Sequence, residues 1–112
     1  MRPEVLYLTD IVEAADAIQR FVGAREREDF LGDEILRSAV LQKLIVIGEA
    51  ATRLSPPFQA HYPEVPWADI VGFRNIAVHA YFSVSWAIVW VTATQDVPAL
   101  RILVAGILTR DF

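Results

Sequence analysis

The chain has 112 residues, of which 54% are hydrophobic and 21% charged, with a net charge of −4 and no cysteine. That length suits one domain covering residues 1–112, and the missing thiols exclude disulfides and thiolate metal sites. Mean hydropathy is +0.37, high for a chain whose size leaves much of its surface in water.

Either the chain belongs in a membrane, or part of its apolar surface is expected to meet another subunit. A membrane span needs about 18 nearly uncharged apolar residues in a row. Residues 40–51 are interrupted by Lys43 and Glu49, and residues 82–93 form a short run carrying Ser83, Ser85 and Thr92. No membrane is expected. No basic-then-apolar leader opens the chain, so a cytoplasmic location is expected. His61 and His79 are the only histidines and make a poor metal set, so neither metal nor cofactor is expected. The acidic balance argues against coating nucleic acid through bulk charge, but it permits a local basic pocket. Nine of the ten basic residues are Arg. Its planar fork suits phosphate or carboxylate, and it also tolerates partial burial.

In chain order, Val5, Leu8, Val12, Ala15, Ile18 and Val22 recur at three- and four-residue steps, which predicts a first helix with one apolar stripe. Pro3 suits its first turn and Gly23 its end. Residues 25–29 read as a charged loop. Asp33 is a candidate N-cap for a second helix running to about Leu54. Its core positions are Leu36, Val40, Leu44, Ile47 and Ala51, with Leu41 and Ile45 alongside. Ser55-Pro56-Pro57 stops it, and residues 58–62 form a short turn. A third main helix is expected over 67–81. A fourth follows over 84–95, with Trp86, Val89 and Trp90 on its apolar side. Asp96 is expected to cap a last helix opening at Pro98 and running to about Leu108. No strand alternation is seen, although residues 88–94 have some strand propensity. The expected fold class is all-α, an up-and-down bundle of four to five helices.

Gly-rich phosphate loops, the G-x-S-x-G elbow and H-E-x-x-H are all absent, which removes the commoner enzyme classes. One polar cluster remains, Arg74-Asn75-Ile76-Ala77-Val78-His79-Ala80-Tyr81. On a helix, Asn75 and His79 share a face, and Arg74 and Tyr81 return to nearly one azimuth. Ile76, Ala77 and Ala80 are expected to hold this helix in the bundle. Arg supplies a fixed cation for a phosphate, His exchanges a proton near neutral pH, and Asn can orient a ligand or the ring. The set suits metal-free RNA cleavage, and a two-fold dimer would supply one His as base and another as acid. A lone Arg and His on a helix are also often just a packed or solvated pair.

The motif R-x-x-x-x-H-x-Y, here Arg74, His79 and Tyr81, resembles the signature of HepT-like toxins of the HEPN superfamily. The segments Tyr7-Leu8-Thr9-Asp10-Ile11, Ile47-Gly48-Glu49-Ala50-Ala51 and Pro66-Trp67-Ala68-Asp69-Ile70-Val71-Gly72-Phe73 resemble that family's flanks, as do Trp86 and Trp90. The likeness covers almost the whole chain. It implies a homodimeric HEPN bundle with both motifs at one cleft, acting as a metal-independent RNase toxin of a HepT/MntA (type VII) toxin–antitoxin pair. Arg74 would hold the scissile phosphate, His79 would transfer protons and Asn75 would position them. The partner would be an MntA-like minimal nucleotidyltransferase antitoxin, which in such systems transfers AMP to the motif tyrosine, here Tyr81. One departure is Ala80, where such proteins often carry Gly or Glu.

Glu49, inside an apolar stretch, is either a support for Arg74 or His79 or a partly exposed carboxylate. Trp67, Trp86 and Trp90 can stack bases but read better as core or interface anchors. Gly48 suits a close helix crossing, and His61 a surface or structural role. Arg37, Lys43 and Arg53 can guide RNA, or simply form a solvated face. The rival to a nuclease is a non-catalytic helical subunit that binds a nucleotidyltransferase and its substrate.

Overall fold

The computed structural model describes residues 3–112, and all regular structure among them is helical. The first helix, α1, spans Glu4–Val22 and buries Leu8, Ile11, Ala15, Ile18 and Val22 along one stripe. Gly23 ends it with φ of 53°, a left-handed conformation that glycine adopts without steric cost.

A five-residue helix, α2, covers Arg27–Leu31 where a charged loop was expected. The cap is reciprocal: the Glu26 side chain accepts from the backbone of Asp29, and the Asp29 side chain accepts from the Glu26 backbone. This capping box uses two acids in place of the usual Ser or Thr start. Its product is a fully buried Phe30, whose ring lies 5.4 Å from that of Trp90 and 6.4 Å from that of Trp86.

The long helix α3 spans Glu34–Arg53, and the Asp33 carboxylate accepts from the Leu36 backbone N–H as an N-cap does. The expected core positions Leu36, Val40, Leu44, Ile47 and Ala51 are all buried. Ser55 then caps α4, Pro56–His61, whose first turn takes both prolines. Tyr62 follows, and its hydroxyl donates to Asp111 at 2.8 Å.

Helix α5 spans Trp67–His79. It ends two residues before the expected boundary, so Tyr81 lies off it, in a 3-10 turn over Tyr81–Ser83. Helix α6, Trp86–Val91, opens at the Ser85 cap. A π turn over Thr92–Asp96 carries the chain directly into α7, Val97–Asp111. Asp96 therefore caps nothing; it sits in helical geometry with no side-chain cap bond. Pro98 lacks an N–H for the turn behind it, and the wider π turn lets the helix pass without a break.

The continuous helix Trp86–Asp111 is long and apolar enough, by length and composition alone, to cross a membrane. The sequence expectation missed that length because it divided the helix at Asp96. The α7 part of the helix and the π turn pack on α1, where Ala93, Val97, Leu100, Val104 and Ile107 are buried, and Arg101 donates to Asp16 of α1 at 2.8 Å.

The long helices pack in the spatial order α5, α3, α1, α7. The fold is the all-α helical bundle that was expected. The core runs through α1, α3 and α7. Between α5 and α7 an apolar cavity of about 420 Å³ opens, lined by Leu44, Ile47, Ile70, Phe73, Leu100 and Leu103.

Candidate active site

The site begins with how α5 meets α3. Trp67, Ile70, Arg74 and Ala77 follow one another at three- and four-residue steps on α5, the spacing of a packing stripe. Trp67 and Ala77 are buried. The third position is thus an arginine where an apolar side chain would be usual. Gly48 on α3 makes room for it. A Cβ built at Gly48 would stand 2.2 Å from Arg74 Cβ and 2.7 Å from its Cγ, closer than any real contact. The missing side chain lets the Arg74 stem lie against the α3 backbone.

The guanidinium is then held on two sides. Its Nε and one terminal nitrogen donate to the same Glu49 carboxylate oxygen, and its other terminal nitrogen donates to Asn75 Oδ1 at 2.8 Å. Side-chain exposures of 23% for Arg74 and 39% for Glu49 place this pair at a rim, where an ion pair adds little stability but fixes a direction. Arginine has five N–H donors in a planar fork. Three are used here, leaving one on each terminal nitrogen, which suits two oxygens of a phosphate.

His79 closes α5. It lies five residues beyond Arg74, about 7.5 Å along the axis at 1.5 Å per residue. Its side chain is exposed and makes no hydrogen bond or ion pair within the described residues. A free ring at a helix end can take or give a proton without first leaving a partner. Asn75, also exposed, turns its amide oxygen to Arg74 and not to His79.

Tyr81 does not share a helical face with Arg74, since α5 ends first. It reaches the same end of the bundle through the 3-10 turn, 47% exposed, with its ring edge-on to Trp86 at 6.4 Å. Of the residues expected to anchor this helix, only Ala77 does so; Ile76 is 53% exposed and Ala80 is exposed as well.

The three tryptophans are placed by packing. Trp67 is buried and its indole donates to the Tyr62 carbonyl at 3.0 Å. Trp86 and Trp90 brace Phe30, and the Arg37 guanidinium lies over the Trp86 ring, 5.4 Å from its centre. His61 is exposed on α4, edge-on to Tyr62. No group of three His, Cys, Asp or Glu side chains able to hold a metal occurs among the described residues. Sequence reasoning overlooked Phe82, the most exposed large hydrophobic side chain among the described residues; two serines and a helix boundary around it were the available signal.

A family model described as ribonuclease HepT-like matches residues 11–107. The chain belongs to this family. Curated relatives of this HepT-like chain agree. It is 38% identical over 95 residues to a protein of Thermococcus cleftensis named as a candidate ribonuclease HepT, covering 85% of this chain and 86% of the other. It is 34% identical over 95 residues to the candidate RNase MJ1380 of Methanocaldococcus jannaschii, covering 85% and 87%. It is 33% identical over 105 residues to the candidate RNase TTE0752 of Caldanaerobacter subterraneus subsp. tengcongensis, covering 94% of each. No solved structure matches it.

Proposed function

We propose that this HepT-like chain is a metal-independent endoribonuclease, active as a cytoplasmic homodimer, and the toxin of a type VII pair with an MntA-like nucleotidyltransferase. The observation that carries the reading is an arginine locked by Gly48, Glu49 and Asn75, on the same helix as a histidine with no partner among the described residues, in a member of a ribonuclease family.

In the proposed reaction one His79 removes the proton from a ribose 2′-hydroxyl. The 2′-oxygen attacks the adjoining phosphorus, and the bond from phosphorus to the 5′-oxygen breaks. A second imidazolium protonates that leaving oxygen. The products are a 2′,3′-cyclic phosphate and a 5′-hydroxyl. Arg74 offers its spare N–H groups to the phosphate oxygens as charge builds on them. Glu49 and Asn75 keep the guanidinium aimed.

One histidine cannot begin the step as base and as acid at once, so the reaction calls for two copies. Apolar surface supports that arrangement. Of eleven exposed large hydrophobic side chains among the described residues, four aliphatic ones, Ile76, Val78, Ile88 and Val91, lie within residues 76–91. Ile88 stands one turn before Thr92, which lines the cavity between α5 and α7. A second copy seated over this surface would bring the two motifs together.

The exposed Tyr81 hydroxyl is the proposed acceptor of AMP. A phosphodiester there would put a negative charge and a nucleotide beside Arg74 and His79.

Expression of the chain alone is expected to slow growth, with relief by Arg74→Ala or His79→Ala. Equal toxicity of all three forms would refute the nuclease reading. With the nucleotidyltransferase and ATP, the chain should gain mass in AMP units; a Tyr81→Phe variant that gains the same mass would refute the acceptor site.

A further inference from the structure

We propose that Phe82 is a base-stacking platform that seats a nucleotide of single-stranded RNA beside the cleavage motif, an inference that rests on the nuclease reading above. The Phe82 side chain is 101% exposed, so it contributes nothing to the core. It is nevertheless held in place. Ser83 N–H donates to the Ala80 carbonyl at 2.8 Å and Val84 N–H to that of Tyr81 at 3.1 Å, which locks the 3-10 turn carrying it. The Tyr81 and Phe82 rings stand nearly perpendicular with centroids 5.7 Å apart, and the full exposure of Phe82 leaves its ring open to solvent.

The contacts continue inward as a series. Tyr81 meets Trp86 edge-on at 6.4 Å, and Trp86 lies beneath the Arg37 guanidinium. A cation, two aromatic rings in contact and an open terminal ring thus follow one another from Arg37 to Phe82. Exposed aromatic rings beside positive charge are how proteins hold single strands, because every base offers a π-face. Aliphatic Ile76, Ile88 and Val91 serve a protein contact better; the aromatic Tyr81 and Phe82 gather at the turn instead, with the Arg37 cation reached through Trp86. Position fits the chemistry. Phe82 stands three positions after His79, no more than about 11 Å along the chain, so a base on Phe82 is within a nucleotide or two of the phosphate that Arg74 and His79 would address. Stacking is tolerant of sequence, and it would supply grip in a chain whose net charge of −4 gives no general attraction to RNA.

The test compares Phe82→Leu, which keeps the apolar bulk without the π-face, with Phe82→Trp, which keeps the face. Binding of labelled single-stranded RNA hexamers is read by fluorescence anisotropy in the non-cleaving His79→Ala background. Cleavage is read with His79 present, and mass by sedimentation. Phe82→Leu should weaken binding about tenfold, and Phe82→Trp should stay within about twofold of Phe. A single abasic nucleotide should cost the Phe82 protein about the same factor and cost Phe82→Leu nothing further. Undiminished RNA binding by Phe82→Leu overturns the platform and leaves the nuclease reading intact. Loss of dimer mass in Phe82→Leu, with RNA affinity unchanged, makes Phe82 a contact between copies and also overturns it. Failure of every form to bind or cut RNA overturns platform and nuclease together.

Discussion

Helices α3 and α5 cross at Gly48 and Arg74, yet they are built for different ends. Helix α3 buries eight of its twenty residues and packs on both α1 and α5. Helix α5 buries two of its thirteen, Trp67 and Ala77, and the packing position between them is filled by an arginine. The first helix spends its apolar side chains on the fold. The second leaves Ile76 and Val78 exposed and gives its remaining surface to Arg74, Asn75 and His79. Stability is therefore expected to reside in α1, α3 and the helix behind them, and chemistry in α5 and the turn after it. The two meet where a glycine without a side chain admits an arginine stem.

The sharpest way to break this division is His79→Ala. Cleavage should fall by about 10²- to 10⁴-fold, the usual worth of a general acid–base group. Because the ring is exposed and has no partner among the described residues, unfolding stability should move by no more than about 0.5 kcal/mol. A loss of several kcal/mol in denaturant titration would make α5 a framework helix. Phe30→Ala probes the opposite pole. Removing this fully buried ring should cost about 3–5 kcal/mol, while the folded fraction cleaves at close to the normal rate; a large drop in rate per folded molecule would tie the core to the chemistry.

Gly48→Ala tests the junction and should show both effects at lower stability cost. The added methyl meets Arg74 Cβ, so overpacking should cost about 1–3 kcal/mol. Displacing the guanidinium should lower cleavage by about 10²-fold. Stability loss alone would show that Arg74 tolerates movement.

The smallest effect concerns the α4–α7 end. The hydrogen bond that Tyr62 donates to Asp111 raises the Tyr62 pKa above its ordinary 10.0, with burial and the carboxylate charge adding to it. A raised folded-state value means that the stabilisation is full below the unfolded value and is lost as pH rises through the folded one. Unfolding measured from about pH 9 to about 11 should show an alkaline decline that Tyr62→Phe lessens; an identical decline in that variant would remove Tyr62 as its source.

Much of the fold was legible because helix ends carry local chemistry. Asp33, Gly23 and Ser55-Pro56-Pro57 each mark a boundary that the structure keeps. The errors arose where that chemistry misled or was missing. Asp96 and Pro98 look like a helix start, but a π turn carries the helix through both. Helix α5 stops at Ala80, which adopts φ of −133°, without glycine or proline to announce it. The capping box of α2 is written in two acids among other charges, and so it reads as a loop. At the site, Arg74, Asn75 and His79 are adjacent in sequence and could be found by spacing. The Arg74–Glu49 pair joins residues 25 apart and needs the helix crossing to exist. Tyr81 kept its place near the motif while losing the helical geometry argued for it.

The central claim is that the Arg74–His79 motif cuts RNA without metal. Purified tRNA incubated with the wild-type chain in EDTA, beside His79→Ala of matched thermal unfolding, tests it most directly. Wild type should yield fragments ending in 2′,3′-cyclic phosphate, and His79→Ala should leave the tRNA whole. Cleavage abolished by EDTA, or cleavage that persists in His79→Ala, would contradict the account.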